Sequence, residues 1–599
     1  NPALTQSPLA QTFDFASPPY YGTGETLWDV HQGCLCSPDE SKFTNVFQRL
    51  ATQYAKPLMS GAPLVNGCID EPMFGISALL TCGSRTTKCP ERYRDFLRAN
   101  HVQPEDLGLK TLDDAVLTRD SSEGARFYWT ARYRDHVVTT FFKSITQTAT
   151  ATNPQILNTA NIGTEIVYNG NMVQYGMNWF ELFRTGAFTY GQTEDWSNCQ
   201  RTYQHAAYMM DVMRAACRDR NVPFEMLNVL CGRSAWEIEA KGFSEIGHGA
   251  TGIGFFRYGP RYTGSSDSEN ENPAIYAPIK RLCRATGAAE EHLLDGRVAD
   301  GDAALLLSTT ADTWEVLSFD NVFGKERMLM SLLLLHCGIR TDILGEDDLA
   351  GRLEKYRLLF VSDVHLRRAC LPALVDWVRG GGTLYLGPNA LSRDEYDRPL
   401  GLDAMLDITR GTFTLHQRPG NLDTARKHFK ALGTAGLADH PVTIFCGEQL
   451  LEGGETLEHD LDQNSPALVR FPAGKGQVML SRLFAGLGYI GQATPVAGGF
   501  YSHLDYPEGP RAWMRRVLER SGVAPRLATD HPLVEAMLKE APKADLITLA
   551  NWSGETRRVT VVLRDPATYR EITTVTGQNL TVTRQPGRLA LVVTIGAGD

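Results

Sequence analysis

Leu64-Val65-Asn66-Gly67-Cys68-Ile69-Asp70-Glu71-Pro72 reads as an apolar strand that stops at two carboxylates and a proline. Upstream, Ser41 to Tyr54 has helix period, with Phe43, Val46, Phe47, Leu50 and Tyr54 on one face. Downstream, a helix from Tyr128 to about Thr148 leads into Gln155-Ile156-Leu157-Asn158-Thr159, and a further strand ends near Thr193-Glu194-Asp195-Trp196. A helix from about Ser197 to Arg220, the strand Phe224 to Val229, a helix around Ala235 to Gly247 and the strand Gly252 to Tyr258 follow. Alternation of strand and helix periods predicts parallel β/α units. Residues 60 to 260 supply about five such steps, against the eight that close a barrel. The expected fold is therefore a (β/α)8-type TIM barrel whose N-terminal part is missing from this chain. Either that part was cut off, or a second chain supplies the first barrel strands. The opening Asn-Pro-Ala-Leu, with neither an initiator Met nor the basic and apolar regions of a signal peptide, carries the same expectation.

Beyond Asp302 the pattern restarts with Ala303-Ala304-Leu305-Leu306-Leu307, a helix over 324–337, strands Arg340 to Leu344 and Arg357 to Val361, a helix over 367–379, and Thr383-Leu384-Tyr385-Leu386. Short continuous apolar strands between helices predict a doubly wound, flavodoxin/Rossmann-like α/β domain. Past residue 530, Leu546 to Asn551, Arg558 to Leu563 and Leu589 to Val593 alternate as half-buried strands do, which predicts a small antiparallel β domain, a C-terminal β-sandwich. The expected boundaries are 1–298, 299–525 and 526–599.

A chain of 599 residues is too long for one core. Its 43% hydrophobic and 21% charged content exclude disordered and fibrous classes. A formal charge of -10, with no Lys/Arg cluster interleaved with aromatics, gives a nucleic-acid backbone no landing surface. The longest apolar stretch, around Met328 to Cys337, is well short of the ~20 residues of a membrane span. A neutral partner is expected, with neither nucleic acid nor membrane, and the compartment, cytoplasmic or secreted, stays open.

Glycosidic bond cleavage needs a carboxylic acid that protonates the leaving oxygen and a second carboxylate across the ring. In barrel enzymes such groups collect at the carboxyl ends of strands, which singles out Glu71 as the acid. Asp70 and Glu71 equally fit an acidic pair capping the next helix. Glu194 and Asp195, beside Trp196, offer a second carboxylate and a stacking ring; the same residues suit a helix N-terminus, where the dipole favours acids. Glu225 is a third carboxylate, near the start of its strand, and Asn228 lies nearer the active face. Trp28 and His31 are candidates for a barrel mouth, although single residues of these types more often serve packing. Cys36, Cys82 and Cys89, with Cys34 nearby, surround the Glu71 strand end and suit either a structural zinc ion or free and disulfide-bonded thiols. Gly380-Gly381-Gly382 leads into a strand, so it reads as a turn and not as a phosphate cradle.

The segment Cys36-Ser37-Pro38, the helix with Tyr54, Pro63 to Glu71, and Cys89-Pro90-Glu91-Arg92-Tyr93-Arg94-Asp95-Phe96-Leu97 resemble family 42 β-galactosidases around their acid/base Glu. His248-Gly249-Ala250-Thr251-Gly252-Ile253-Gly254-Phe255-Phe256-Arg257 is similar to that family's last barrel strand, and residues 302 to 522 and 530 to 599 are similar to its Rossmann-like trimerisation domain and C-terminal β domain. The resemblance implies a glycosidase with Glu71 as general acid/base, no required cofactor, a carbohydrate substrate and a homo-oligomer, a trimer as in that family. It also departs from the family, which has Asn where this chain has Asp70 and a nucleophilic Glu where it has Asn228. Another carboxylate then takes over, with Glu194 first, Asp195 second and Glu225 third, or the mechanism is inverting. Trp28, Tyr168 and Trp196 are expected to stack on sugar faces, and His31, Asp70, Asn169, Asn228 and Arg257 to meet polar groups of the substrate. The rival expectation is a non-catalytic carbohydrate-binding or assembly protein on a degenerate barrel.

Overall fold

A computed structural model describes residues 12–14, 64–77, 79–80, 88–152, 154–163, 166, 170–194, 202, 204–230, 234–256, 273–315, 321–416, 418, 430–432, 441–460, 464–492, 494–495, 503–566 and 569–597. Its first region is a run of parallel strands in chain order. β1 (Thr12–Asp14), β2 (Leu64–Asp70) and β3 (Ile156–Asn161) form one sheet, and β4 (Gly191–Glu194), β5 (Phe224–Val229) and β6 (Gly252–Phe256) another. A parallel bridge between Ile162 and Thr193 links the two, with Ile162 N–H donating to Gln192 O and Glu194 N–H to Ile162 O. Six strands of a parallel wall are thus present among the described residues, one more than the sequence suggested, because Thr12–Asp14 joins the edge.

Helices fill the connections, as parallel pairing requires. Ala125–Thr152 lies between β2 and β3, Trp179–Arg184 between β3 and β4, His205–Cys217 between β4 and β5, and Ala235–Gly247 between β5 and β6. The last starts where expected because the Ser234 N–H donates to the Glu237 carboxylate at 3.0 Å, half of a capping box. The apolar face of the wall joins the middle domain in one continuous core containing Phe142, Phe183, Met210, Met226, Leu305, Met328 and Leu333. These two regions are therefore packed together and not strung on a linker.

In the middle domain β8 (Ala303–Leu307), β9 (Thr341–Gly345), β10 (Leu358–Val361) and β11 (Thr383–Leu386) form a seven-stranded sheet, extended by Gly476–Ser481, Pro466–Ala473 and Glu455–His459. The order is β9-β8-β10-β11 followed by those three. The first five strands are parallel and the last two antiparallel, so the doubly wound part has flavodoxin-type order. Gly381, at φ 130°, ends the helix Leu371–Gly380 and turns the chain into β11, so the triple glycine is a turn.

The C-terminal region is a sandwich of two antiparallel sheets. Leu527–Thr529, Arg557–Arg564, Arg588–Ile595 and Leu580–Gln585 form one, and Val534–Glu540 with Leu546–Asn551 form the other. Leu538, Val559, Val561, Leu563, Leu591 and Val593 fill the space between. β7 (Arg297–Val298) pairs with Lys539 and Glu540, so the two residues just ahead of the expected 298/299 boundary belong to this sheet. No described helix is long and apolar enough to cross a membrane.

Candidate active site

β2 delivers Glu71 to its carboxyl end. The residue is exposed, and its backbone sits at φ 42°, the left-handed region that a side chain other than glycine enters at a cost. Its N–H donates to the Asn161 carbonyl at 2.9 Å, which holds the turn against the end of β3. Pro72 is buried immediately after it and Phe74 is 3% exposed, packed edge-on against Phe141 and Phe142, so the segment behind Glu71 is anchored in the core. Backbone strain of this kind clusters at active sites, which makes Glu71 a candidate.

Asn161 also reaches the next strand. Its Nδ2 donates to Glu194 Oε2 at 2.8 Å, and Glu194 is 4% exposed at the last position of β4. Glu71, Asn161 and Glu194 therefore stand at the carboxyl ends of three consecutive parallel strands. With strands spaced about 4.8 Å apart, the backbones bearing the two carboxylates are separated by about 10 Å. Asn161 carries two of the links in this cluster and was not expected: the β3 strand read from sequence stops at Thr159, two residues short. The signal available was the Asn that closes the run Ile156-Leu157-Asn158-Thr159-Ala160-Asn161.

Glu225 stands lower in the wall. It is the second residue of β5, opposite Gln192, and its carboxylate accepts from Tyr190 Oη at 3.0 Å and Gln192 Nε2 at 2.8 Å. Burial pushes its pKa up, and the two donors pull it back. Asn228 is placed otherwise than expected. Residues alternate faces along a strand, and Asn228 shares the face of Phe224 and Met226, two residues of the main core. It is 1% exposed and donates to Glu245 Oε2, on the helix Ala235–Gly247, at 2.7 Å. It thus turns to the helical layer, away from the face of Glu225.

Of the three thiols named for a zinc ion, Cys89 alone lies among the described residues. That residue is buried and disulfide-bonded, so it has no thiolate for a metal. Among the described residues no group of His, Cys, Asp and Glu is arranged to hold a metal ion. The other two thiols named for it, Cys36 and Cys82, lie outside the described residues, as do Trp28, His31, Tyr168, Asn169, Asp195, Trp196 and Arg257. Asp70 pairs in register with Asn161 at the end of β2.

No protein-family model matches the chain, and no curated protein matches it. Solved structures do. The β-galactosidase from Bacillus circulans sp. alkalophilus superposes with a TM-score of 0.62 at 14% identity, covering 94% of this chain and 83% of that one. Gan42B, a GH42 β-galactosidase from G. stearothermophilus, gives 0.64 at 13% identity, with 94% and 82% covered. The α-L-fucosidase isoenzyme 2 from Paenibacillus thiaminolyticus gives 0.55 at 12% identity, with 94% and 79% covered. The chain shares the α/β fold of these proteins, with its mixed sheets and helices, along nearly its whole length.

Proposed function

We propose that the protein is a glycoside hydrolase acting on an oligo- or polysaccharide, with Glu71 as the general acid and Glu194 as the second carboxylate. The observation that supports this most is the left-handed, exposed Glu71 tied through Asn161 to Glu194 across three strand ends. A carboxylic acid reachable from solvent protonates the glycosidic oxygen, while a carboxylate across the ring acts as nucleophile or as base for a water. Asn161, between them, orients Glu194 and offers an amide to a sugar hydroxyl. Asp195 is the next choice for the second carboxylate. Glu225, desolvated and already holding two donors, serves better as a support for the wall than as a reacting group.

The shared fold supports a glycosidase in general, and a β-galactoside is the first substrate to try. The barrel, the zinc-free site and a trimer through the middle domain belong to the same proposal. The test is hydrolysis of a panel of p-nitrophenyl glycosides by the wild type and by Glu71→Gln. The proposal expects turnover of at least one glycoside and its loss by about 10³-fold in the variant, with the fold intact by circular dichroism.

The second reading, a carbohydrate-binding protein without turnover, is favoured by Asn228, which is buried against a helix at the position where the resembling family carries its nucleophile. Calorimetric binding of galacto-oligosaccharides together with no hydrolysis of any panel member by the wild type would establish it.

A further inference from the structure

We infer that the middle domain is a positioning clamp for the Glu71 turn, with Arg327 as its central residue, an inference that rests on the glycosidase reading for its catalytic part. In doubly wound sheets the crevice where strand order reverses, at the carboxyl ends of the strands, is the place a ligand enters. Here that crevice lies between β8 and β10, and it is filled by the chain itself. Ser308, just past β8, donates its N–H to Asp363 Oδ2, just past β10, at 2.7 Å. Arg327 is 0% exposed and spans the gap: Nη1 donates to Asp363 Oδ1 at 2.5 Å, Nη2 to Asp312 Oδ1 at 2.9 Å, and Nε to Tyr208 Oη at 3.1 Å.

Its Nη2 also donates to the Gly170 carbonyl at 2.9 Å, and Gly170 belongs to the segment between β3 and β4. The approach is backbone to backbone. A Cβ on Gly170, at φ 66°, would stand 2.5 Å from the carbonyl carbon of Gly324. Asn171 Nδ2 adds a bond to the Asp312 carbonyl at 2.6 Å, and Asn171 Oδ1 accepts from the Gln174 N–H at 3.1 Å.

The far end of the same segment holds the turn that carries the acid. Phe74 N–H donates to the Tyr175 carbonyl at 2.7 Å, and Gly176, at φ 80°, lies so close to the Phe74 carbonyl that a side chain there would strike it. Arg327, residues 170–176 and residues 71–74 thus form one connected path of short polar and backbone contacts. The guanidinium pins one end, and the direction of Glu71 depends on the other.

The full-length Arg327→Met and Asn171→Ala variants test this. The first leaves two buried carboxylates without their cation and is the one more prone to unfold; the second leaves the ion cluster whole and carries the test by itself if needed. Hydrogen exchange is followed at the amides of 73–77 and 170–177, and kcat is measured on p-nitrophenyl and 2,4-dinitrophenyl glycosides of the sugar the wild type turns over fastest. The clamp predicts faster exchange in both segments. It also predicts a fall of about 10-fold or more in kcat on the p-nitrophenyl substrate, which needs protonation to leave, against less than about 3-fold on the dinitrophenyl one, with KM little changed.

Unchanged exchange in both segments overturns the clamp. Equal losses on both leaving groups overturn its catalytic part, because a smaller folded fraction lowers every substrate alike. If Glu71→Gln retains turnover, the assignment of the acid fails by itself, and the exchange measurement still decides whether Arg327 holds the segment.

Discussion

Asn161 donates its side-chain amide to Glu194 Oε2 at 2.8 Å while its backbone carbonyl accepts the Glu71 N–H at 2.9 Å, so one residue ties together the strand ends that bear the two carboxylates. Asn161→Ala is expected to lower kcat by about 10²-fold with little change in the melting temperature. Asn161→Asp places a like charge beside Glu194, which disfavours its ionised form. The acidic limb of the kcat/KM profile should then move to higher pH. A profile that stays in place in the Asp variant would show that Glu194 does not titrate in the reaction.

Position 71 is where function and stability are expected to part. At φ 42° a glycine is at ease and an alanine is not, so Glu71→Gly should be more stable than Glu71→Ala by about 1 kcal/mol, both being inactive. Urea unfolding of the two variants checks it; equal stabilities would mean that the turn is not left-handed in solution.

His248 lies buried between Asp211, at 2.8 Å from Nδ1, and Glu535, at 3.1 Å from Nε2. Burial works against the charged ring, but the two carboxylates win and raise its pKa from 6.5 to about 9. A group whose pKa is raised on folding stabilises fully below its unfolded value, and that contribution fades as pH climbs from 6.5 through 9. On the order of 2–3 kcal/mol should be lost across that window. Lys241 opposes the trend, because burial lowers its pKa to about 7 and its folded state is relieved as pH rises. The measurement is therefore a difference: the melting temperature of wild type minus that of His248→Gln, which should shrink between pH 6 and pH 9. A constant difference would sink the assignment of charge to His248.

Cys89 is fully buried at the start of the helix Lys88–Ala99 and is disulfide-bonded. Reduction, or Cys89→Ser, should cost about 2–5 kcal/mol of stability, lowering the melting temperature under dithiothreitol. Zinc or a chelator should leave it unaltered; stabilisation by zinc would restore the metal reading.

Much of the architecture was legible because period-2 and period-3.6 patterns record burial directly. The helix expected over 324–337 is found at Phe323–His336, and the strands Thr383 to Leu386 and Leu546 to Asn551 are found as read. The end of β3 was less legible. Asn158, Thr159 and Asn161 are polar, so the strand fades in hydrophobicity just where its carboxyl end becomes useful. The facing of Asn228 was available in Phe224-Glu225-Met226-Leu227-Asn228, since the even positions carry core residues, but a match by position to a family's nucleophile spoke against it.

The sequence by itself determined three α/β and β regions and placed Glu71 and Glu194 at the ends of strands, because local periodicity and turn chemistry are short-range properties of the chain. Only the tertiary structure decided that the Glu71 backbone and the Glu194 carboxylate share Asn161, that Cys89 is spent in a disulfide, and that Arg327 of the middle domain reaches Gly170. Such meetings join residues far apart in the chain, and they are set by strand order and by packing across a common core, neither of which leaves a mark in local pattern.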